Sequence, residues 1–121
     1  MYLVWIKCTG EQWCPLLTVN LAHSHFDGLE GIYIIWHGQP DPAVVYVGQG
    51  NIRNRLTQHR QDPDILAYEK QTLFVTWARI NSEYRDGIEK FIAESWKPKV
   101  GHNYPVAIPM PVNSPWQKEQ T

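Results

Sequence analysis

Residues 31–59 read GIYIIWHGQPDPAVVYVGQGNIRNRLTQH, and a change of periodicity inside this stretch decides the fold. From Gly31 to His37, and again from Ala43 to Gly48, the chain is dense in β-branched and aromatic residues, which suit a pleated, half-buried surface. Gly38, Pro40, Asp41 and Pro42 supply turn chemistry between the two runs, so they predict a β-hairpin with one tyrosine, Tyr33 or Tyr46, on each arm. After Gly48 the period changes. Gly50 offers a break and Asn51 an N-cap, and Ile52, Arg55, Leu56 and His59 then recur at i, i+3, i+4 and i+7, the spacing of one helix face. At 3.6 residues per turn, Arg55 and His59 lie within about 60° of the apolar pair Ile52 and Leu56. Two polar groups therefore point along the seam where helix meets hairpin.

On the C-terminal side, Asp62-Pro63-Asp64 closes that helix and opens a short one reaching Tyr68, because proline suits a first helical turn. The apolar run Thr72–Ile80 predicts the central strand of a small antiparallel sheet. A last helix is expected from about Arg85 to Lys97, with Ile88, Phe91, Ile92, Ser95 and Trp96 as its buried stripe and Pro98 as its stop. Glu89 falls on the margin of that stripe, whereas Glu94 projects from the opposite side. A carboxylate at the edge of a core face needs a partner to offset its desolvation, and the two candidates are a metal ion and Arg55. Beyond Lys99, Pro105, Pro109, Pro111 and Pro115 mark an extended tail, loose at its end.

On the N-terminal side, Tyr2–Cys8 and Trp13–Leu21 predict two strands joined by a turn at Thr9–Gln12, an added hairpin leading through a linker at residues 22–30. Cys8, Cys14, His23 and His25 lack the paired spacing of structural zinc sites, so two reduced, partly buried cysteines and two histidines without a role are expected. The 121 residues make one domain, long enough to bury roughly two-thirds of its unfolded surface: an extension at 1–29, a core at 30–104 and a tail at 105–121. Lys7 interrupts the only early apolar run, and no apolar stretch approaches the ~20 residues that span a bilayer. A soluble, cytoplasmic protein without a membrane partner is expected. With a net charge of −1 and a pI near 6.5, the chain is not a strongly basic nucleic-acid binder. Any grip on phosphate must come from local clusters: Arg53 and Arg60 on the first helix, and Lys97, Lys99 and His102 after the last.

In order along the chain stand Gly31-Ile32-Tyr33, then Tyr46-Val47-Gly48, an arginine with a histidine one turn later (Arg55, His59), a helix-borne glutamate (Glu89) and a late asparagine (Asn103). This ordered set resembles the GIY-YIG nuclease family over about residues 30–104. The hairpin loop is slightly long for that pattern and the Gly48–Arg55 segment about one residue short, which raises Arg53 as a rival for the arginine role; Arg55 is preferred because only it sits one turn before His59. The resemblance implies an α/β domain of the α+β type, a small antiparallel sheet flanked by helices. It also implies hydrolysis of phosphodiester bonds, with DNA as the expected substrate. Glu89 would hold one divalent metal, Mg²⁺ or Mn²⁺. Tyr33 would stand near the attacking water, Arg55 on the phosphate, Tyr46 on the phosphate or on a water, and Asn103 would brace the site. Either Tyr33 or His59 would be the base. A free tyrosine titrates near 10, so Tyr33 serves only if positive charge lowers it. A partner protein that targets the nuclease is compatible with the small basic footprint. The rival class is a catalytically silent module that binds nucleic acid or protein on the same fold.

Overall fold

Strand β2 (Glu30–His37) runs through the middle of the molecule, antiparallel to β3 (Ala43–Asn51) on one side and to β4 (Leu73–Arg79) on the other. A two-residue strand, β1 (Cys14–Pro15), adds to the outer edge of β4, giving the sheet order β1-β4-β2-β3. The computed structural model describes residues 1–101 and 103–116. Every residue of β2 from Gly31 to His37 is buried. Helices cover both faces of the sheet, which is why this strand reads as a continuous apolar run instead of alternating.

On one face, Ile52 and Leu56 of α1 (Ile52–His59) and Ile65 of α2 (Pro63–Leu66) pack with Tyr33, Ile35, Val45, Val75 and Trp77. On the other, Ile88 and Ile92 of α3 (Ser82–Trp96) pack on Ile32, Ile34, Val47 and Ala78. Each such isoleucine, nearly free of solvent, contributes about 1.5–3 kcal/mol through burial. The molecule is thus the α+β architecture expected: a four-stranded antiparallel sheet with helices on its faces. The starts of α1 and α2 are the anticipated ones, whereas α3 begins at Ser82, three residues before the expected Arg85. The Asn51 side chain accepts the Asn54 N–H at 3.0 Å, and Asp62 accepts the Asp64 N–H at 2.9 Å with Pro63 in the first turn.

Three expectations are corrected. The N-terminal hairpin does not form: residues 2–8 hold no strand, and Trp13–Leu21 yields only β1. Pro15 has no N–H to extend a ladder, and Val19 N–H turns back to Pro15 O at 3.0 Å. Each arm instead docks on β4, through Ile6 N–H to Trp77 O at 3.0 Å and Leu16 N–H to Leu73 O at 3.0 Å. Second, Cys8 and Cys14 are joined in a disulfide. The turn at Thr9–Glu11 brings their Cα atoms to 5.1 Å, inside the bridging range. Third, Trp96 and Ser95 are exposed and Ala93 takes their place in the buried stripe, because the last turn of α3 carries Trp96 out to the edge of Trp116.

The tail is extended as expected, yet pinned. Met110 N–H donates to Gly87 O at 2.9 Å, Asn113 exchanges hydrogen bonds with the Leu3 backbone, and Trp116 packs edge-on against Trp36 at 5.0 Å. The tail's end, residues 117–121, lies outside the described residues, as does His102.

Candidate active site

The hairpin and α1 bring four polar side chains to one seam. Tyr33 has no exposed surface, and its hydroxyl lies 2.6 Å from Nε2 of the buried His59. Arg55 Nε donates to the same hydroxyl at 3.2 Å, Arg55 Nη2 donates to the Tyr46 hydroxyl at 3.3 Å, and Nη1 to Gln58 Oε1 at 3.3 Å. The rings of Tyr33 and Tyr46 lie nearly parallel, 15° apart with centroids at 6.1 Å, and the His59 ring sits 4.4 Å from that of Tyr46.

Two glycines make this packing possible, one in each tripeptide. A Cβ at Gly48 would stand 2.3 Å from the Tyr33 hydroxyl, so the phenol occupies the space a side chain would fill. A Cβ at Gly31 would stand 1.9 Å from the Ala78 carbonyl oxygen of β4. The glycines of Gly-Ile-Tyr and Tyr-Val-Gly are therefore steric requirements of the sheet and of the tyrosine.

The electrostatics assign the protons. Burial, then the charge of Arg55, lower His59 to about 4, with Asp62 opposing; the imidazole is neutral at pH 7. Burial raises the Tyr33 phenol above its ordinary range, against the pull of Arg55. A guanidinium only donates, so the Tyr33 proton must point to His59 Nε2, and His59 carries its own proton on Nδ1. Although burial opposes its charge, the Tyr33 and Tyr46 hydroxyls hold the Arg55 guanidinium above its usual value.

Glu89 approaches from α3. It is 8% exposed, and Oε2 accepts from Gln49 Nε2 at 3.1 Å; the same amide nitrogen donates to Asp86 Oδ1 at 2.8 Å. Burial raises the carboxyl, the Gln49 bond lowers it, Asp86 raises it further and Arg55 lowers it. Among the described residues no basic group stands within salt-bridge distance of Glu89, and Arg55 turns to the tyrosines instead. The carboxylate is buried with acceptor capacity to spare. The Tyr104 hydroxyl is buried and, among the described residues, without a hydrogen-bond partner; burial, then the charges of Tyr46 and Glu89, raise its phenol. A buried carboxylate with one hydrogen bond and, among the described residues, no ion pair fits a divalent cation. Among the described residues no three of His, Cys, Asp and Glu converge on a metal position, so Glu89 would hold the metal with at most the neighbouring Asp86 carboxylate beside it. Mg²⁺ accepts such a set, since it keeps most of its waters and takes substrate oxygens.

The other predicted residues are placed differently. Arg53, the rival for the arginine role, binds the Leu21 carbonyl at 2.7 Å, the His23 carbonyl at 3.0 Å and Asp27 at 2.7 Å. Arg60 binds the carbonyls of Leu16, at 2.8 Å, and Val19. Both were expected on nucleic acid. They hold the N-terminal segment instead, because its broken backbone leaves carbonyls that no ladder satisfies. Lys97 and Lys99 are exposed. Asn103 is exposed too and, among the described residues, makes no hydrogen bond to the cluster. His25 accepts the Trp77 indole N–H at 3.0 Å, and His23 accepts the His25 N–H at 2.9 Å, so both brace the extension. Gln49, Asp86 and Tyr104 were not anticipated. Two carried a signal: Gln49 directly follows Tyr-Val-Gly, and Asp86 lies at i−3 from Glu89 on one helix side. No protein-family model, curated protein or solved structure matches the chain.

Proposed function

We propose that this chain is a divalent-metal-dependent endonuclease of the GIY-YIG type, acting on phosphodiester bonds and most directly on DNA. The observation that carries the reading is the Tyr33 hydroxyl, held between a neutral His59 and a cationic Arg55 while an unpaired, buried Glu89 stands nearby. A fold without chemistry has no physical need for a buried carboxylate left short of partners.

The residues divide the work as follows. The bonds from Arg55 to the two tyrosines are long, at 3.2 and 3.3 Å, so a phosphate that offers shorter, charge-assisted bonds draws the guanidinium off them. That movement uncovers the Tyr33 oxygen. As a water attacks phosphorus, Tyr33 takes one of its protons and passes its own to His59 Nε2, a relay in which no phenolate needs to persist. Arg55 balances the charge gathering on the phosphoryl oxygens, and Tyr46 hydrogen-bonds one of them. Glu89 would hold Mg²⁺ or Mn²⁺, which supplies Lewis-acid stabilisation of the leaving oxygen. Tyr104 and Gln49 orient the groups around Glu89.

The test is incubation of purified protein with supercoiled plasmid and branched oligonucleotides in Mg²⁺, Mn²⁺ or EDTA. Nicking or cleavage that EDTA abolishes is expected. The full burial of Tyr33 favours a second reading, a silent binding module on the same fold. Retention of these nucleic acids without cleavage under any metal would decide for it.

A further inference from the structure

Seven residues beyond Glu89, α3 ends at Trp96, a large apolar side chain left 42% exposed. Trp96 forms one wall of an open groove of about 450 Å³ whose other aromatic walls are Trp13, Trp36, Phe74 and Trp116. These rings meet largely edge to face: Trp13 on Trp36 at 5.2 Å and 87°, Trp116 on Trp36 at 5.0 Å and 82°, and Trp116 on Trp96 at 5.0 Å and 79°. Such contacts fix the indoles against one another without closing the groove.

The rim is basic, although the whole protein is not. Lys97 follows Trp96 directly, and the Lys99 N–H donates to the carbonyl of Val44, a groove residue, at 3.2 Å. Both lysines are exposed and, among the described residues, neither has an ion pair. Lys7 lies 4.7 Å over the Trp13 ring. Asp41, beside the lining residue Pro42, is the counter-charge, and the nearby Glu94 is engaged by Lys90 at 3.6 Å.

We propose that this groove is a subsite for single-stranded nucleic acid: it stacks an unpaired base on Trp96 and Trp116, while Lys97 and Lys99 take the flanking phosphates. Indole faces bind any base through its π-surface, and lysines bind the backbone between bases, so aromatic walls with a cationic rim match this ligand. The inference rests on the nuclease reading for its distance argument. Seven helical residues put Trp96 about 10 Å from Glu89 along α3, a span covered by about three nucleotides or fewer at 3.4 Å or more per step. The groove would then grip the loose strand of a flap or overhang next to the bond to be cut. An aromatic groove can also take a proline-rich peptide, but such a ligand leaves the lysines without partners.

The experiment is a tryptophan-fluorescence titration of the full-length Tyr33→Phe protein in EDTA, so that binding is read without cleavage. The probes are a 12-nucleotide oligothymidylate, a blunt duplex of the same length and a proline-rich 12-residue peptide. Saturable quenching by the oligothymidylate is expected. Adding Trp96→Ala, at an exposed position, should weaken it roughly 5- to 150-fold, and Trp116→Ala should act in the same direction. Lys97→Glu with Lys99→Glu should reduce the log–log salt slope by about 1.4, while Tyr2→Ala, at an exposed ring outside the groove, should leave affinity unchanged. Equal affinity in the Trp96→Ala protein, or quenching by the peptide alone, overturns the subsite. Two results separate it from the nuclease reading. Trp96-dependent binding by a wild type that never cleaves keeps the subsite and removes the nuclease. Cleavage with the same KM for blunt and overhung substrates in wild type and Trp96→Ala does the reverse.

Discussion

At Tyr33 a single oxygen serves packing and chemistry together. The ring fills the space left by Gly48 and is fully buried, and its hydroxyl links His59 to Arg55. Tyr33→Phe keeps the ring, so the fold should survive while turnover falls by about 10²-fold; Tyr46→Phe, at a half-buried ring, should cost less. Circular dichroism with a plasmid-nicking assay reads both, and unchanged turnover in the two variants would make the tyrosines packing residues only. Glu89→Gln should abolish cleavage and raise stability at pH 7, because burial pushes the carboxyl up and the native state carries the cost of its charge. Urea unfolding of the two proteins checks the sign; a less stable Glu89→Gln would mean that the carboxylate is structural. His59 sets an acid limit of opposite origin. Its folded pKa, lowered to about 4, lies below the unfolded value, so the unfolded chain takes up the proton first. Its contribution is therefore complete above about pH 6.5 and is lost as pH falls toward 4, on the order of 3 kcal/mol across that window. Urea midpoints at pH 7 and 4.5 should converge in His59→Gln, and a pH slope untouched by that variant would assign the acid sensitivity to other groups. Arg55 and His59 were legible because helical spacing points them at the seam with the contiguous hairpin, and Tyr33 and Tyr46 because the two tripeptides that hold them carry the resemblance. Tyr104 was not, because what marks it is a buried hydroxyl without a partner among the described residues, and only the folded chain brings that hydroxyl into the neighbourhood of Tyr46.

Among the elements, the sheet is specified most tightly where backbones come closest. Gly31→Ala would drive a methyl into the Ala78 carbonyl and should break the β2–β4 pairing, whereas Gly48→Ala meets only the Tyr33 ring end and should cost about 1–3 kcal/mol as overpacking. Chemical denaturation ranks the two, and equal losses would contradict the steric account. The hairpin, α1, α2, β4 and α3 could be read from the sequence because each carries its own period and its own cap. The N-terminal segment misled for a local reason. The apolar runs in Tyr2–Cys8 and Trp13–Leu21 suggested strands, but Pro15 and the turn at Val19 prevent them from pairing with each other, and β4 takes a few bonds from each. Reduced cysteines were expected, whereas the turn at Thr9–Glu11 sets the geometry of a disulfide. Trp96 was assigned to the core because helical spacing says nothing about where a sheet stops beneath a helix.

For the molecule as a whole, near-neutral charge means that electrostatic attraction is local. With Arg53 and Arg60 tied to the N-terminal carbonyls, the exposed cations left from the expected clusters are Lys97 and Lys99. Duplex affinity should therefore fall with a log–log salt slope near −2, and Arg60→Ala should lower stability while leaving that slope alone. A slope that drops by about 1 in Arg60→Ala would return this arginine to the nucleic-acid surface. The ends of the chain are also bound to each other: the Met1 amino group donates to the Pro111 carbonyl at 3.3 Å, and the Trp5 indole to the Asn113 carbonyl at 2.9 Å. On a ribosome this imposes an order of events. Residues 1–5 wait for residues 111–113, about 5–20 s later at ordinary rates of synthesis, and in that interval Leu3 and Trp5 have no strap to cover them. The nascent chain can close its hairpin early, but it cannot cover Leu3 and Trp5 until the segment that carries Asn113 has followed.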